Sequence, residues 1–340
     1  MTEQPAAFTS MRAFCRHIGS DPLLVQGAGG NVSWKAGDVL WVKASGMWLA
    51  DAEAQDIFVP VDLAALRRGI ETGTFDAVPV KLSDVALRPS IETMLHALMP
   101  HAVVAHLHAI EPLARLVREE CTHEISRLLG HACKWAIADY RKPGPDLAAG
   151  VHQALSETPN ADVVFLQGHG VVIGGPDIEA IASLIDILTN RLRCDIVLPG
   201  IRHANAVDVP TPATGAMRPI GDPDLHALAR DPSLLARVRK EWVMYPDHAV
   251  FLGAHAHVFD TIDALLDGVE AHPGIELAFV ADTGTYVSNA FSLAKQVQLR
   301  CYYDVLIRQA PEQRLQILSD GAIAELLGWD AERYRMSIAK

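Results

Sequence analysis

The sequence predicts a mixed α/β fold, because short apolar runs typical of buried strands alternate with longer amphipathic stretches typical of helices. Half of the 340 residues are hydrophobic and 6% are aromatic, so the chain can bury a sizeable core without disulfides. Glycine and proline, with 24 and 20 residues, mark the turns between these stretches. We therefore expect a globular protein, and the length favours two domains.

Composition and charge exclude several classes of protein. There are 41 Asp and Glu against 29 Lys and Arg, and no basic cluster offers a footprint for nucleic acid. No apolar run approaches the ~20 residues of a bilayer-spanning helix, and the first residues lack a secretory pattern. The five cysteines are scattered, which is typical of reduced thiols. These observations predict a cytoplasmic protein that binds neither nucleic acid nor membrane.

A glycine-rich loop lies among the first elements. A helical pattern over 8–19 precedes the loop at 26–31, and strands are predicted at 32–35 and 39–44. The loop matches neither the G-x-G-x-x-G pattern nor a P-loop, so a nucleotide-binding fold is not supported. Its backbone lets a ligand approach closely, and Asn31 can donate a hydrogen bond, so both a phosphate contact and a plain hairpin turn stay open.

Helical patterns follow at 63–69 and at 91–99, and Ser90 is the predicted N-cap of the second helix. Apolar residues form one face of that helix, which leaves Glu92 and His96 together on another, near the helix start. A carboxylate in that place can act as a base or as a metal ligand.

A buried strand is predicted at 102–108. Alternate residues of a strand share a face, so His106 and His108 point to the same side. His169 lies in a glycine-flanked turn at the end of another strand. Catalytic zinc commonly takes three protein ligands, so these histidines form a candidate set; packing in a core or an interface is the alternative for the strand pair.

The remaining predicted elements continue the alternation. Helices are expected at 111–128, 145–156, 177–194, 224–240, 259–271 and 289–309, and strands at 163–166, 171–173, 249–252 and 276–281. The proline-rich stretch over 204–224 has almost no apolar periodicity, which is typical of a linker. We therefore expect a domain at 1–205, a linker at 206–224 and a small C-terminal α/β domain at 225–340.

Two features of the C-terminal part could indicate a second site. Residues 279–284 echo residues 165–170, with Thr283 in the place of His169; chance likeness is the alternative. The pair His255 and His257 repeats the H-x-H spacing but has no evident third ligand. A threonine hydroxyl is a poor zinc ligand, so we expect no metal site in this part of the chain.

Five ordered motifs closely resemble the class II aldolase/adducin family. They are Gly29–Ser33, Leu40–Gly46, Pro89–Glu92 with His96, His106–His108 and Gly168–Gly170. The likeness is strong over about 10–200 and is closest to the aldolase part of bifunctional rhamnulose-1-phosphate aldolase/dehydrogenases, which also have a segment similar to Tyr245–His248. The resemblance implies a three-layer α/β/α sandwich with a largely antiparallel sheet, and a homo-oligomer, commonly a tetramer.

The resemblance also implies roles for the chemical groups. His106, His108 and His169 would bind a divalent metal, with zinc the expected ion. Glu92 would act as general base beside the metal. Tyr140 resembles a tyrosine that reaches a neighbouring subunit's site as a proton donor, although packing at a loop explains it equally well.

A substrate phosphate is the third expectation from the same resemblance. The residues that match the family's phosphate-binding loops are Gly30, Asn31, Ser45, Gly46 and Ser90. Ile91 stands where fuculose-phosphate aldolases have a second phosphate-binding serine. This departure removes one expected donor, so weaker phosphate binding is expected.

The activity that the resemblance implies is that of a metal-dependent aldolase, a carbon–carbon lyase. Such an enzyme cleaves a ketose phosphate or related sugar by a retro-aldol reaction, through an enediolate that the metal stabilises. Epimerisation, dehydration or decarboxylation of a sugar phosphate on the same scaffold are alternatives. A non-catalytic, adducin-like binding protein is a further one, which the presence of all three histidines and Glu92 disfavours.

Overall fold

The computed structural model describes residues 6–197, 209–212 and 215–339. Part of the predicted linker at 206–224 lies outside the described residues, so the domain boundaries remain predictions. None of the helices in the described ranges is long and apolar enough to cross a membrane.

Seven strands of the described chain form one sheet, in the spatial order β3-β2-β1-β4-β7-β6-β5. The strands are β1 (Asn31–Ala36), β2 (Val39–Lys43), β3 (Phe58–Asp62), β4 (Val103–Leu107), β5 (Trp135–Ala138), β6 (Val163–Leu166) and β7 (Gly170–Gly175). All neighbours pair antiparallel except β5 and β6, which pair parallel. The expected largely antiparallel sheet is confirmed.

Helices cover both faces of this sheet. They are α1 (Ala6–Gly19), α2 (Leu63–Glu71), α3 (Thr93–Leu98), α4 (Ile110–Leu116), α5 (Cys121–Leu129), α6 (Pro145–Glu157) and α7 (Ile178–Arg191). Because side chains alternate along a strand, Ala105 packs in a core with α1, α5 and α7, while Val104 packs in another with α2, α3 and α6. The three-layer α/β/α sandwich is therefore confirmed.

A second, smaller sheet lies in the C-terminal part, with β8 (Met217–Pro219), β11 (Gly284–Ser288), β10 (Leu277–Val280) and β9 (Val258–Phe259) in spatial order. The helices of this part are α8 (Ala227–Arg230), α9 (Pro232–Lys240), α10 (Pro246–Leu252), α11 (Ile262–Ala271), α12 (Leu293–Leu306), α13 (Asp320–Leu327) and α14 (Asp330–Ile338). The expected small C-terminal α/β unit is confirmed.

The strand predicted at 249–252 is wrong, because these residues form the end of α10. Every residue of α10 is buried, so the run has no polar face, and a short buried apolar run does not distinguish helix from strand. Pro246 at the first helical position is compatible with a helix start.

Two predicted helices are interrupted. The helix predicted at 111–128 divides into α4 and α5, because the backbone of Arg118 and Glu119 pairs with the segment at Arg314 and Leu315. The helix predicted at 224–240 divides at Asp231, which precedes Pro232 and caps α9 with its side chain. A residue before proline disfavours helical backbone.

The echo between 165–170 and 279–284 is a likeness of backbone turns. Each segment joins two antiparallel strands, β6 to β7 and β10 to β11. The sequence predicted both strands of the first pair but missed β11. Gly168 and Asp282 both have φ of 57°. Thr283 therefore occupies the structural position of His169, in a separate sheet.

A buried polar network joins α4 and the turn after it to the residues that follow α12. The guanidinium of Arg308 lies 3.0 Å from a carboxylate oxygen of Glu111, and the other oxygen accepts from the backbone N–H of Cys194 at 2.7 Å. Arg118 donates to the Gln309 side chain at 2.9 Å. The packing of the C-terminal unit on the larger sheet therefore depends on paired, buried charges.

Glu111→Ala is expected to destabilise the fold by about 3–5 kcal/mol, because it leaves the buried Arg308 guanidinium without a carboxylate. The free energy of unfolding in urea measures this. The control is Glu276→Ala, which removes an ion pair with Lys295 whose glutamate is 34% exposed and should cost less than about 1 kcal/mol. Equal losses in the two variants would contradict the interpretation.

Candidate metal centre

Three buried imidazoles converge at one end of the larger sheet. His106 lies near the end of β4, His108 follows that strand, and His169 lies in the turn between β6 and β7. Their candidate ligand nitrogens lie within 4.8 Å of one another, and the two strand histidines have their Nε2 atoms 3.1 Å apart. The structure therefore brings together the three histidines proposed as metal ligands.

Hydrogen bonds fix the tautomers of the two strand histidines. The Nδ1 of His106 lies 3.1 Å from the carbonyl oxygen of Val171, and the Nδ1 of His108 lies 3.2 Å from Oδ2 of Asp247. Both partners are acceptors, so each Nδ1 carries the hydrogen. Each Nε2 then directs a lone pair towards the other.

The protonation of these groups favours a cation. Burial lowers the pKa of His106 to about 4 and that of His169 to about 3, so both rings are neutral at pH 7. Neutral lone pairs 3.1 Å apart repel each other unless a cation lies between them. Imidazole nitrogens are common zinc ligands, so the donor set fits a divalent metal.

Glu92 lies beside the cluster. Its Oε1 is 3.4 Å from Nε2 of His169, and its Oε2 is 3.5 Å from Nε2 of His106. Burial alone would raise the pKa of Glu92, but the neighbouring imidazoles and the Asn31 amide outweigh burial and lower it to about 2. The carboxylate is thus ionised at neutral pH.

A chain of hydrogen bonds orients this carboxylate. Asn31 donates from Nδ2 to Oε2 of Glu92 at 3.0 Å, and its Oδ1 accepts from Nε2 of His96. Nδ1 of His96 lies 2.7 Å from the Ser33 hydroxyl, which donates to it. Oε1 of Glu92 has no hydrogen-bond partner in the described parts of the chain, so it is the oxygen left free for chemistry.

The start of α3 differs from the expectation. Helix α3 begins at Thr93, and Glu92 rather than Ser90 occupies the N-cap position. Ser90 instead forms a preceding turn, because its hydroxyl accepts from the N–H of Glu92 at 3.2 Å and its carbonyl accepts from Thr93 Oγ1 at 2.6 Å. The glutamate side chain is consequently free to turn towards the histidines.

A pocket opens beside this cluster and includes all five expected phosphate-binding residues. Its wall contains Gly30, Asn31, Ser45, Gly46, Ser90, Ile91, Glu92, His108 and His169. The hydroxyl of Ser45 is buried and has no partner among the residues described. A Cβ at Gly30 would lie 2.8 Å from the His106 carbonyl oxygen, which explains the glycine there.

Four charged pocket residues were not proposed from the sequence: Lys43, Asp247, Glu332 and Arg335. Lys43 donates to the carbonyl oxygens of Ala28 and Met47 at 2.9 and 2.6 Å. Burial, and then the charge of Arg335, lower the pKa of Lys43 to about 7. Lys43 and Asp247 lie in segments that carry the family resemblance, whereas no pattern marks the residues of α14.

Tyr140 lies behind the turn that carries His169. A Cβ at Gly168 would lie 3.6 Å from Cδ2 of Tyr140. Its buried hydroxyl has no partner within the described ranges, burial raises its pKa to about 12, and it is not among the residues of the pocket wall. Its expected role at a neighbouring subunit's site remains a prediction.

The rival histidine pair lies elsewhere. His255 and His257 line a surface pocket with Glu276 and Lys295. Among the described residues, the group suited to hold a metal consists of His106, His108 and His169.

Fold and cluster together define a candidate metal centre on an α/β/α sandwich. The chain belongs to the class II aldolase and adducin family, since the model of the "Class II Aldolase and Adducin N-terminal domain" matches residues 9–196. Its match to the uncharacterized oxidoreductase YuxG of Bacillus subtilis (strain 168) is 29% identical over 181 residues, covering 48% of this chain and 25% of that protein.

Two further similarities lie in the same part of the chain. A probable bifunctional methylthioribose-1-phosphate isomerase/methylthioribulose-1-phosphate dehydratase of Nocardia farcinica (strain IFM 10152) is 27% identical over 200 residues, 53% of this chain and 33% of that protein. The matches thus span a third or less of these curated relatives. The N-terminal class II aldolase domain of a conserved protein from Thermoplasma acidophilum is 25% identical, with a TM-score of 0.47, over 56% of this chain and 94% of that one.

His106→Ala is expected to abolish tight zinc binding, because two remaining imidazoles do not complete a three-ligand site. Elemental analysis after dialysis should show about one zinc per wild-type chain and none in the variant. The control, His255→Ala with His257→Ala, should keep its zinc. A folded His106→Ala protein with full zinc content, or loss of zinc from the control, would place the metal elsewhere.

Proposed function

We propose that the protein is a zinc-dependent aldolase that cleaves a ketose phosphate, or a related sugar, to a three-carbon ketone and an aldehyde. The observation that carries this proposal is the free Oε1 of Glu92, held 3.4 Å from His169 at the edge of a pocket that contains the phosphate-binding pattern. An ionised base, a triad of imidazoles and an anion-binding wall are the groups that this reaction needs.

His106, His108 and His169 would hold the zinc. When bound, a divalent cation polarises the carbonyl and hydroxyl oxygens of a sugar. The protein's own contribution is the base. Glu92 would accept the proton of the hydroxyl group on the carbon whose carbon–carbon bond breaks. The C–O bond of that carbon then becomes the aldehyde carbonyl.

The electron pair of the broken carbon–carbon bond stays with the ketone fragment. Glu92 would then return its proton to that fragment, which leaves the carboxylate ionised for the next cycle. Because Asn31 occupies Oε2, both transfers are assigned to Oε1. Tyr140 of a second copy of the chain is proposed as the donor that relays this second transfer: its hydroxyl would give a proton to the ketone fragment and regain the one that Glu92 holds, which would make the active form a homo-oligomer.

The phosphate is assigned to Gly30, Asn31, Ser45, Gly46 and Ser90. The unpartnered Ser45 hydroxyl would donate to a phosphate oxygen, and Lys43 on the same wall would supply positive charge. Ile91 offers no donor. The space between these side chains is about 20 Å³, room for about one water, so the pocket in this conformation is smaller than a sugar.

A dehydratase is the second candidate, favoured by the similarity to the protein named as a methylthioribulose-1-phosphate dehydratase. Elimination of water begins with removal of a proton from the carbon next to a carbonyl, and Oε1 of Glu92 is a base in the same pocket that would accept it. Epimerisation and decarboxylation use the same groups, but no observation favours them.

The proposal is tested by incubating the zinc-loaded protein with a panel of ketose 1-phosphates and analysing the products by mass spectrometry. Retro-aldol cleavage gives two fragments, whereas dehydration gives one product that has lost a water. Formation of fragments supports the aldolase. Loss of water establishes the second candidate instead, and failure to convert any member of the panel counts against both.

Glu92→Gln is expected to lower turnover by roughly 10²-fold or more, because the amide cannot accept the substrate proton. The amide is close in size, so the fold should persist, which circular dichroism checks. Steady-state rates on the best substrate measure the loss. Turnover near that of the wild type would remove Glu92 from the mechanism.

Ser45→Ala is expected to raise KM for a phosphorylated substrate about tenfold, since a hydrogen bond to a charged group is lost, while kcat changes little. The control variant is Ser20→Ala, at an exposed hydroxyl outside the pocket. Phosphorylated and unphosphorylated forms of one sugar are compared. Equal specificity constants for the two forms in the wild type would overturn the phosphate assignment.

A further inference from the structure

One carboxylate links the C-terminal helices to the histidine cluster. Asp247, at the start of α10, is 2% exposed. Its Oδ2 lies 3.2 Å from Nδ1 of His108 and accepts from Nε2 of Gln298 at 3.2 Å. Arg335 of α14 donates from Nη1 to Oδ1 at 2.6 Å and from Nη2 to Oδ2 at 2.8 Å. Helices α10, α12 and α14 therefore meet at a single side chain.

The contact with Asp247 fixes the tautomer of His108 as well as the position of its ring. Because a carboxylate only accepts hydrogen bonds, it holds the hydrogen of the imidazole on Nδ1 and leaves Nε2 as the free lone pair. Carboxylate partners of this kind orient metal-binding histidines and raise their basicity. Burial alone would raise the pKa of Asp247, but Arg335 and His108 hold it well below its usual range.

The glycine at position 29 leaves room for this contact. A Cβ at Gly29 would lie 2.9 Å from Nδ1 of His108 and 3.0 Å from Oδ2 of Asp247. Such distances are closer than a side chain tolerates, so only glycine leaves room for the carboxylate to reach the ring. Gly29 belongs to the same glycine-rich loop as the proposed phosphate site.

We propose that Asp247 is a positioning residue of the metal centre, and that the bidentate ion pair with Arg335 makes metal affinity depend on the last helix of the chain. This inference rests on the proposed metal site. Two functions follow for residues beyond the matched family domain: Asp247 sets the tautomer and direction of His108, and Arg335 holds Asp247 in the orientation that this requires.

The test is the zinc affinity of Asp247→Asn, measured by competition with a chromogenic chelator. A loss of about 10- to 100-fold is expected, as for other partners of metal-binding histidines. The matched control is Asp304→Asn, which alters another buried carboxylate paired with an arginine, Arg300, at 2.9 Å. This control should keep wild-type zinc affinity even if both variants lose thermal stability.

A second readout separates positioning from general structural support. The visible spectrum of the cobalt-substituted protein reports ligand geometry, and it should change in Asp247→Asn but not in Asp304→Asn. Arg335→Met should weaken zinc binding by a smaller factor, and Arg335→Lys should recover part of the loss. If Asp247→Asn does not fold, the two Arg335 variants decide the question.

The outcomes distinguish this inference from the proposed function. A wild-type protein that binds no zinc would refute the metal centre itself. Wild-type zinc binding together with unchanged affinity and spectrum in folded Asp247→Asn, or in Arg335→Met where the first does not fold, would refute the role of Asp247 while leaving the metal centre intact.

Discussion

The site depends on directing neutral imidazole lone pairs to one buried point. Such an arrangement is unfavourable without a cation, so it persists only if surrounding groups hold each ring in place. Val171 supplies an acceptor for His106 from the neighbouring strand, and Asp247 supplies one for His108 from the C-terminal unit. The larger sheet and the C-terminal unit therefore share the task of fixing the two rings.

The register of the sheet explains how the base joins this cluster. His106 on β4 pairs with Asn31 on β1 and with Val172 on β7. Strand β4 therefore lies between two strands of the site. On one side is β1, whose Asn31 orients Glu92, and on the other is β7, which begins just after His169. A slip by one residue would turn the histidine away from the cluster, because successive side chains of a strand face opposite ways. The buried cores on both faces oppose that slip.

Local patterns in the sequence predicted what depends on local geometry. Period two placed His106 and His108 on one side, and ordered motifs indicated the sandwich. The errors arose where tertiary contacts override local preference, as at Arg118, where pairing with Leu315 ends a helix, and at 249–252, where burial hides the helical period. The Asp247–Arg335 pair joins residues 88 positions apart, and nothing in a single sequence signals such a contact.

The two pocket cations differ in how far their charge is balanced by neighbouring groups. Arg335 is held by Asp247, so its charge is largely balanced, whereas Lys43 is bound only to carbonyl oxygens. Burial and the nearby guanidinium lower the pKa of Lys43 to about 7, so part of its charge is lost at neutral pH. An anionic group that enters beside Lys43 favours the charged ammonium again. The same wall would therefore gain attraction for the proposed phosphate as it arrives, and α14 is part of that wall.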